Sequence, residues 1–107
     1  MIDTNENEEP KGWEDLPDGR KRVALQYPVQ HGENGETVAS VTMRRPKTGD
    51  LEAVDGKKDV ETAVLLISRL GGIPPSVVRS FDAVDMVPLG NAIADFFAPS
   101  RQTGASK

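Results

Sequence analysis

The sequence predicts an α+β fold in which an N-terminal β-hairpin packs on a small bundle of about three helices, with disordered termini. In residues 22–43, apolar side chains alternate with polar or small ones, which is the pattern of strands with one buried face. The Asn34-Gly35 pair between the two alternating stretches favours a tight turn. From residue 59 onward, apolar residues recur every three or four positions, which indicates amphipathic helices.

Each of the two predicted strands has an apolar face. The first strand places four residues on this face: Val23, Leu25, Tyr27 and Val29. The second strand places three residues there: Ala39, Val41 and Met43. Pro28 cannot donate a hydrogen bond to a neighbouring strand, so the first strand is predicted to lie at a sheet edge or to end at this residue. An isolated hairpin is barely stable in water, so the hairpin must pack against the helices.

The first predicted helix runs from Val60 to about Leu70. Asp59 is its expected N-terminal cap, and Gly71-Gly72 is its expected end. The apolar stripe of this helix comprises six residues: Val60, Ala63, Val64, Leu66, Ile67 and Leu70. This stripe is predicted to face the hairpin.

Two further helices follow in the sequence. A short one begins at Pro74–Ser76, since proline is tolerated in a first turn. The last one opens at Asp82, and Asp85 is favourable near the positive end of its dipole. Its apolar face comprises Met86, Leu89, Ile93, Phe96 and Phe97. Pro88 removes a backbone hydrogen bond inside this helix and is predicted to kink it. Residues 48–54 are compatible with one additional helical turn.

Acidic residues are concentrated at the N-terminus. Residues 1–20 carry seven acids and two bases, a net charge of −5, whereas the other 87 of the 107 residues carry ten acids and eleven bases, a net charge of +1. The first segment has few apolar residues and no periodicity, so we predict a disordered acidic arm over residues 1–20. A single domain is predicted over residues 21–98 and a flexible tail over residues 99–107. Trp13, within the arm, is either a short docking motif or a residue that packs loosely on the domain or has no role.

The composition argues against several classes of protein. There is no cysteine and only one histidine, so neither a disulfide nor a structural zinc site is expected. No apolar run approaches the roughly 20 residues that span a bilayer, and the N-terminus does not resemble a signal peptide. We therefore expect a cytoplasmic protein without a membrane partner. His31 lies in a predicted loop, and no serine is placed to act as an activated nucleophile, so no catalytic residue is predicted.

Cofactor and metal sites are not expected either. Gly71-Gly72 is not followed by the lysine and hydroxyl residues of a phosphate-binding loop. Asp82 and Asp85 have a spacing that allows a shared metal ion, but helix capping explains both without one. The sequence therefore predicts a non-enzymatic protein.

A basic cluster, Arg44-Arg45-Pro46-Lys47, follows the second predicted strand. One interpretation is that it binds a nucleic-acid phosphate, an acidic partner or the acidic arm of this same chain. The other is that its arginines lie over the hairpin and bind the terminal carbonyl groups of a helix. The nearly neutral domain and the lack of an aromatic stacking surface argue against nucleic acid as the partner.

Three blocks of the chain, in this order, resemble the tail assembly chaperones of Mu-like, contractile-tailed phages. In the first, Val41–Leu51, a strand runs into an Arg-Arg-Pro segment that is followed by an aspartate. In the second, Leu66–Pro75, a helix breaks at glycine before an apolar-proline pair. In the third, Phe81–Asp85 precedes a helix that ends in Ile93–Phe97.

The resemblance implies a protein that binds the tape-measure protein and keeps it soluble until tail-tube subunits polymerise around it. The tail-tube protein is a second candidate partner, and the small core predicts self-association into a homo-oligomer in the host cytoplasm. The alternative is a small nucleic-acid-binding regulator that uses Arg44, Arg45 and Lys47. Eight residues are candidates for partner binding: Arg44, Arg45, Pro46, Lys47, Asp50, Leu66, Leu70 and Ile73.

Overall fold

The computed structural model describes residues 12–31 and 35–98, which form a three-stranded antiparallel sheet followed by four helices. The strands are β1 (Glu14–Asp15), β2 (Lys21–His31) and β3 (Glu36–Met43), in the order β1-β2-β3. The helices are α1 (Thr48–Ala53), α2 (Asp59–Gly71), α3 (Pro75–Arg79) and α4 (Ala83–Phe96). The predicted α+β class is confirmed, and α2 and α4 are the two long helices.

Strand β1 was not predicted from the sequence. The expectation of a disordered arm is wrong for residues 12–20, because Glu14 and Asp15 pair with Arg22 and Lys21 of β2. Opposite charges face each other in this pairing, and Arg22 donates a hydrogen bond of 2.6 Å to the Glu14 carboxylate. The rest of the predicted arm, residues 1–11, and the predicted tail, residues 99–107, lie outside the described residues.

Lys21 links β1 to helix α4. Its ammonium group donates hydrogen bonds of 2.6 Å to Asp15 and 2.8 Å to Asp95, while its side chain is only 10% exposed. The same ammonium lies 5.6 Å from the ring centroid of Trp13 and 5.0 Å from that of Phe96. Burial of the cation is therefore offset by two carboxylates and two aromatic faces.

The hairpin of β2 and β3 contains a bulge. Ala24 pairs with Ser40 and Val29 pairs with Val38, so the four residues Leu25–Pro28 lie opposite a single residue of β3. The bulge corrects two predictions. Strand β2 continues through Pro28, because a bulge does not require that residue to donate to the ladder. Tyr27, predicted to be buried, is 50% exposed because the bulge breaks the alternation of the strand.

Asp85 of α4 binds the main chain of this bulge. Its carboxylate, 2% exposed, accepts hydrogen bonds from the N–H groups of Gln26 at 2.7 Å and Tyr27 at 3.0 Å. The bulge would otherwise leave these two donors without partners in the ladder. Asp85 therefore replaces the missing strand contacts and fixes α4 against β2.

The core lies between the hairpin and the helices, with α2 packed on β3 and α4 packed on β2. Its strand residues are Val23, Leu25, Val41 and Met43, and its residues from the two long helices are Val64, Leu66, Ile67, Leu70, Leu89, Ala92, Ile93 and Phe96. Three further residues predicted to face the core do not, since Val60 is 74% exposed, Phe97 is 52% exposed and Ala39 of β3 is also exposed. Gly71 permits the close approach of α2 to β3, because an added Cβ there would lie 2.8 Å from Cγ1 of Val41.

The helix ends agree with most of the sequence signals. Gly72 ends α2 in the left-handed conformation, with a φ of 68°. Asp82 caps α4 by accepting a hydrogen bond of 2.9 Å from the main-chain N–H of Val84. The predicted cap at Asp59 is wrong, since Lys58 occupies the cap position and Asp59 is the first residue of the helix.

Candidate partner-binding surface

Asp50, in the first turn of α1, is almost completely buried and accepts four hydrogen bonds. Arg44 donates two of them, at 2.8 and 3.0 Å, one to each carboxylate oxygen. Arg69 of α2 donates a third at 2.9 Å, and the main-chain N–H of Lys47 donates the fourth at 2.7 Å. This carboxylate therefore joins the end of β3, the start of α1 and the last turns of α2.

The same contacts control the ionisation of Asp50. Hydrogen bonds from Arg44 lower the pKa of the carboxyl group well below its usual range, and the Lys47 N–H and Arg69 act in the same direction against the effect of burial. Asp50 is therefore ionised at neutral pH and has no free acceptor to offer a partner. Its predicted role in partner binding stays a prediction, and its contacts within the chain hold Arg44 and the Lys47 main chain of the basic cluster in place.

The two arginines of the basic cluster are both engaged within the chain. Arg44 binds Asp50, whereas Arg45 lies 3.4 Å from the carbonyl oxygen of Phe96 at the end of α4, with its guanidinium 5.6 Å from that ring. Arg45 thus agrees with the interpretation in which an arginine binds a helix carbonyl. These contacts leave fewer free donors for a nucleic-acid phosphate.

The other predicted partner-binding residues fall into two groups. Lys47 is exposed, and Pro46 and Ile73 are half-buried, so all three reach the surface. Leu66 and Leu70 are 7% and 3% exposed and belong to the hydrophobic core. A partner cannot contact these two leucines unless the domain opens, so their expected role at the surface is not supported by their position.

An apolar groove of about 560 Å³ lies between α2, α3 and α4, and none of the eight residues predicted to bind a partner lines it. The groove is lined by Lys58, Val60, Glu61, Val64, Val78, Arg79, Phe81, Ala83 and Met86. The floor consists of the buried Val64, Val78 and Phe81, and Met86 is half-buried beside them. Val60 stands at the edge, largely exposed. The groove was not predicted from the sequence, because the apolar spacing of α2 assigned Val60 to the core.

Charged side chains surround the groove. Lys58, Glu61 and Arg79 are all exposed. Glu61 lies 4.0 Å from Lys57, whereas Lys58 and Arg79 form no ion pair within the described part of the chain. The opening is therefore apolar inside, with two basic side chains and one acidic side chain among its lining residues.

No group of three His, Asp or Glu side chains in residues 12–31 and 35–98 is placed to hold a metal ion. None of the helices in that part of the chain is long and apolar enough to cross a membrane.

The segment that contains the Asp50 cluster and the apolar groove matches a known protein family. Residues 22–98 match a family model described as phage tail assembly chaperone proteins E, 41 or 14. The chain belongs to the phage tail assembly chaperone family. Neither the curated proteins nor the solved structures gave a match. The family is non-enzymatic, and its membership implies tail proteins as partners.

The family match in this tail assembly chaperone includes β2 from its second residue onward, β3 and all four helices, but it does not include β1. The Asp50 cluster and the apolar groove thus lie inside the shared segment. Trp13 and the acidic residues that precede it lie outside the match.

Proposed function

We propose that this tail assembly chaperone binds the tape-measure protein and keeps it soluble until tail-tube subunits polymerise around it. The family match over residues 22–98 is the observation that carries the proposal, because it includes all the helices and most of the sheet. The apolar groove supports it, since contiguous apolar openings on small proteins commonly bind other chains.

The chemistry required for this function is binding alone. A long helical protein with an exposed apolar face associates with itself in water, because association removes apolar surface from solvent. A chaperone that covers this face lowers the concentration of the free protein that aggregates. The tighter the chaperone binds, the less protein remains free. Such a contact needs no catalytic group, and it is reversible when tube subunits compete for the same client.

The basic cluster supplies positive charge for contacts with the client. Arg45 and Lys47 are exposed and carry charges that a client can contact, with Pro46 and Ile73 nearby at the surface. Asp50 fixes the backbone that presents them. Self-association would place several copies of these weak contacts along one client and so raise the overall affinity. The tail-tube protein is a second partner within the same proposal.

The proposal is tested by producing the tape-measure protein with and without this chaperone in the same cells. We expect a soluble complex, recovered through a tag on the chaperone and sized by light scattering, and insoluble tape-measure protein when the chaperone is absent. A tape-measure protein that is equally soluble in both cases and does not co-purify would contradict the proposal. The measured mass also gives the number of chaperone copies per client.

A further inference from the structure

We infer that the groove between α2, α3 and α4 binds one amphipathic helix of the client, and that this helix carries acidic residues beside its apolar face. The inference rests on the proposed function, since it names the surface of the chaperone and the chemistry of the bound segment. It differs from the sequence prediction, which placed partner binding on the basic cluster, on Asp50 and Ile73, and on two leucines of the core.

The apolar character of the groove supports an apolar occupant. A single exposed valine is common on a protein surface and has no special meaning by itself. Val60, however, is 74% exposed beside an opening of about 560 Å³ whose floor contains Val78 and Phe81. An apolar side chain inserted there would contact Val60 and Met86 on opposite sides and remove them from water.

The walls of the groove favour a helix as the occupant. One wall is the first turn and a half of α2, from Val60 to Val64, and another is the start of α4, from Ala83 to Met86. Side-chain ridges of a third helix pack naturally into a groove between helices. Such a helix presents apolar anchors at positions i, i+3 or i+4, and i+7, as in other helix-in-groove complexes.

The charged residues around the opening indicate which residues of the bound helix should lie beside its apolar anchors. Lys58 and Arg79 form no ion pair within the described residues, so both remain able to bind carboxylates. Glu61 is the one acidic residue that lines the groove, and Lys57 lies 4.0 Å from it. A client helix with Asp or Glu beside its apolar stripe therefore complements this edge, which favours correct orientation and faster association.

The position of the groove within the chain also points to the client. All of its lining residues lie in residues 22–98, the segment that matches the family. Residues 1–11 are acidic as well and are therefore a competing occupant, but they lie outside that segment. A surface formed only by the family segment is suited to a partner that the family shares.

Substitution of exposed valines provides the first test. In the full chain, Val60→Glu places a charge at the edge of the groove, and Val87→Glu is its control on α4, because Val87 is 61% exposed and does not line the groove. We expect Val60→Glu to lower the recovery of tape-measure protein by about tenfold and Val87→Glu to leave it unchanged. Circular dichroism should show the same melting temperature for both variants, since each side chain faces solvent.

A cross-linking experiment identifies the occupant directly. The chain contains no cysteine, so Val60→Cys offers a single site for a photoactivatable maleimide, with Val87→Cys as the control. We expect Val60→Cys to cross-link to a client segment that has an apolar helical stripe flanked by Asp or Glu. Arg79→Glu should weaken the complex, and the loss should be smaller at high salt.

Several results would overturn the inference. If Val60→Glu retains the client as well as Val87→Glu does, the groove is not the docking site, although the chaperone function stands. Cross-links from position 60 to residues 1–11, to a second chaperone copy, or to a client segment without acidic residues would also overturn it. If the wild-type chain binds no tape-measure protein at all, the proposed function fails, and the inference fails with it.

Discussion

Arg44 binds the buried carboxylate of Asp50 through two hydrogen bonds, of 2.8 and 3.0 Å. Arg44 comes directly after Met43, the last residue of β3, whereas Asp50 belongs to the first turn of α1. This pair therefore fixes the direction in which the chain leaves the sheet. Bidentate arginine–carboxylate pairs are geometrically specific, so a lysine at position 44 would not replace Arg44.

Asp50→Asn should destabilise the domain. The amide keeps one acceptor oxygen but places an NH2 group against donors from Arg44, Arg69 or the Lys47 main chain. We expect the free energy of unfolding to fall by about 2 kcal/mol, moderated because both arginines remain partly exposed to water. Urea denaturation measures this change. Asp55→Asn, at an exposed position, is the control and should stay within about 0.5 kcal/mol of wild type.

Stability should fall in acid because of the same residue. The pKa of Asp50 is lower in the folded chain than its ordinary value of 3.8, chiefly because Arg44 hydrogen bonds to the ionised form. The unfolded chain therefore binds the proton more readily, so this stabilisation is complete above about pH 5 and is lost progressively as the pH falls below it toward the depressed folded-state pKa.

Urea denaturation of wild type and Asp50→Asn over a series of pH values measures that dependence. We expect the difference in unfolding free energy between the two proteins to shrink as the pH falls from about 6 to about 3. A constant difference over this range would show that Asp50 contributes no pH-dependent stability.

Asp85→Ala should weaken the attachment of α4 to the bulge. The substitution leaves the main-chain N–H groups of Gln26 and Tyr27 without their acceptor, at a cost of about 2–3 kcal/mol. Hydrogen exchange of these two amides should accelerate. Asp82→Ala removes only the cap of α4, so it should cost about 1 kcal/mol and leave the two amides as protected as in wild type, after correction for global stability.

Two glycine substitutions should have opposite effects. Gly71→Ala places a Cβ 2.8 Å from Cγ1 of Val41, and a buried β-branched side chain adjusts poorly, so we expect a loss of about 1–3 kcal/mol. Gly90→Ala, inside α4 with no neighbour within 4 Å of the new atom, should raise stability by about 0.5–1 kcal/mol. Thermal denaturation distinguishes the two. Adding Val41→Ala to Gly71→Ala should cost less than the two single losses combined.

The sequence predicted the fold class and most of the helix ends because those features depend on nearby residues. Gly72 ends α2 and Asp82 caps α4 through contacts with residues no more than four positions away. The apolar spacing of α2 likewise predicted Val64, Ile67 and Leu70 as core residues.

The bulge in β2 could not be predicted in this way. The exposure of Tyr27 depends on extra residues in one strand, and the acceptor for its main-chain N–H is Asp85, 58 positions later in the chain. The alternation of apolar residues along a strand cannot predict a contact with a residue so far away in the sequence. Strand β1 was missed for a related reason, because two residues are too few to show a period.

The tertiary contacts of the candidate site residues could not be predicted from the sequence. Asp50 was assigned to a partner, yet its neighbours include Arg69, 19 positions away on another helix, and only the tertiary structure reveals that contact. Val60 matched the apolar stripe of α2, but no described element covers the first turn of that helix. A helical period shows which face is apolar and does not show how much of that face has a neighbour to pack against.

Asp85 and Met86 are adjacent on α4, and they face two different parts of the molecule. Asp85 is hydrogen-bonded to β2, whereas Met86 lines the groove. A movement of the α4 backbone that widens the groove at Met86 would also displace the Asp85 carboxylate from the strand. Binding in the groove that shifts the start of α4 would then change the hydrogen-exchange rate of the Gln26 amide. Hydrogen exchange at Gln26 can therefore detect binding at a surface that Gln26 does not line.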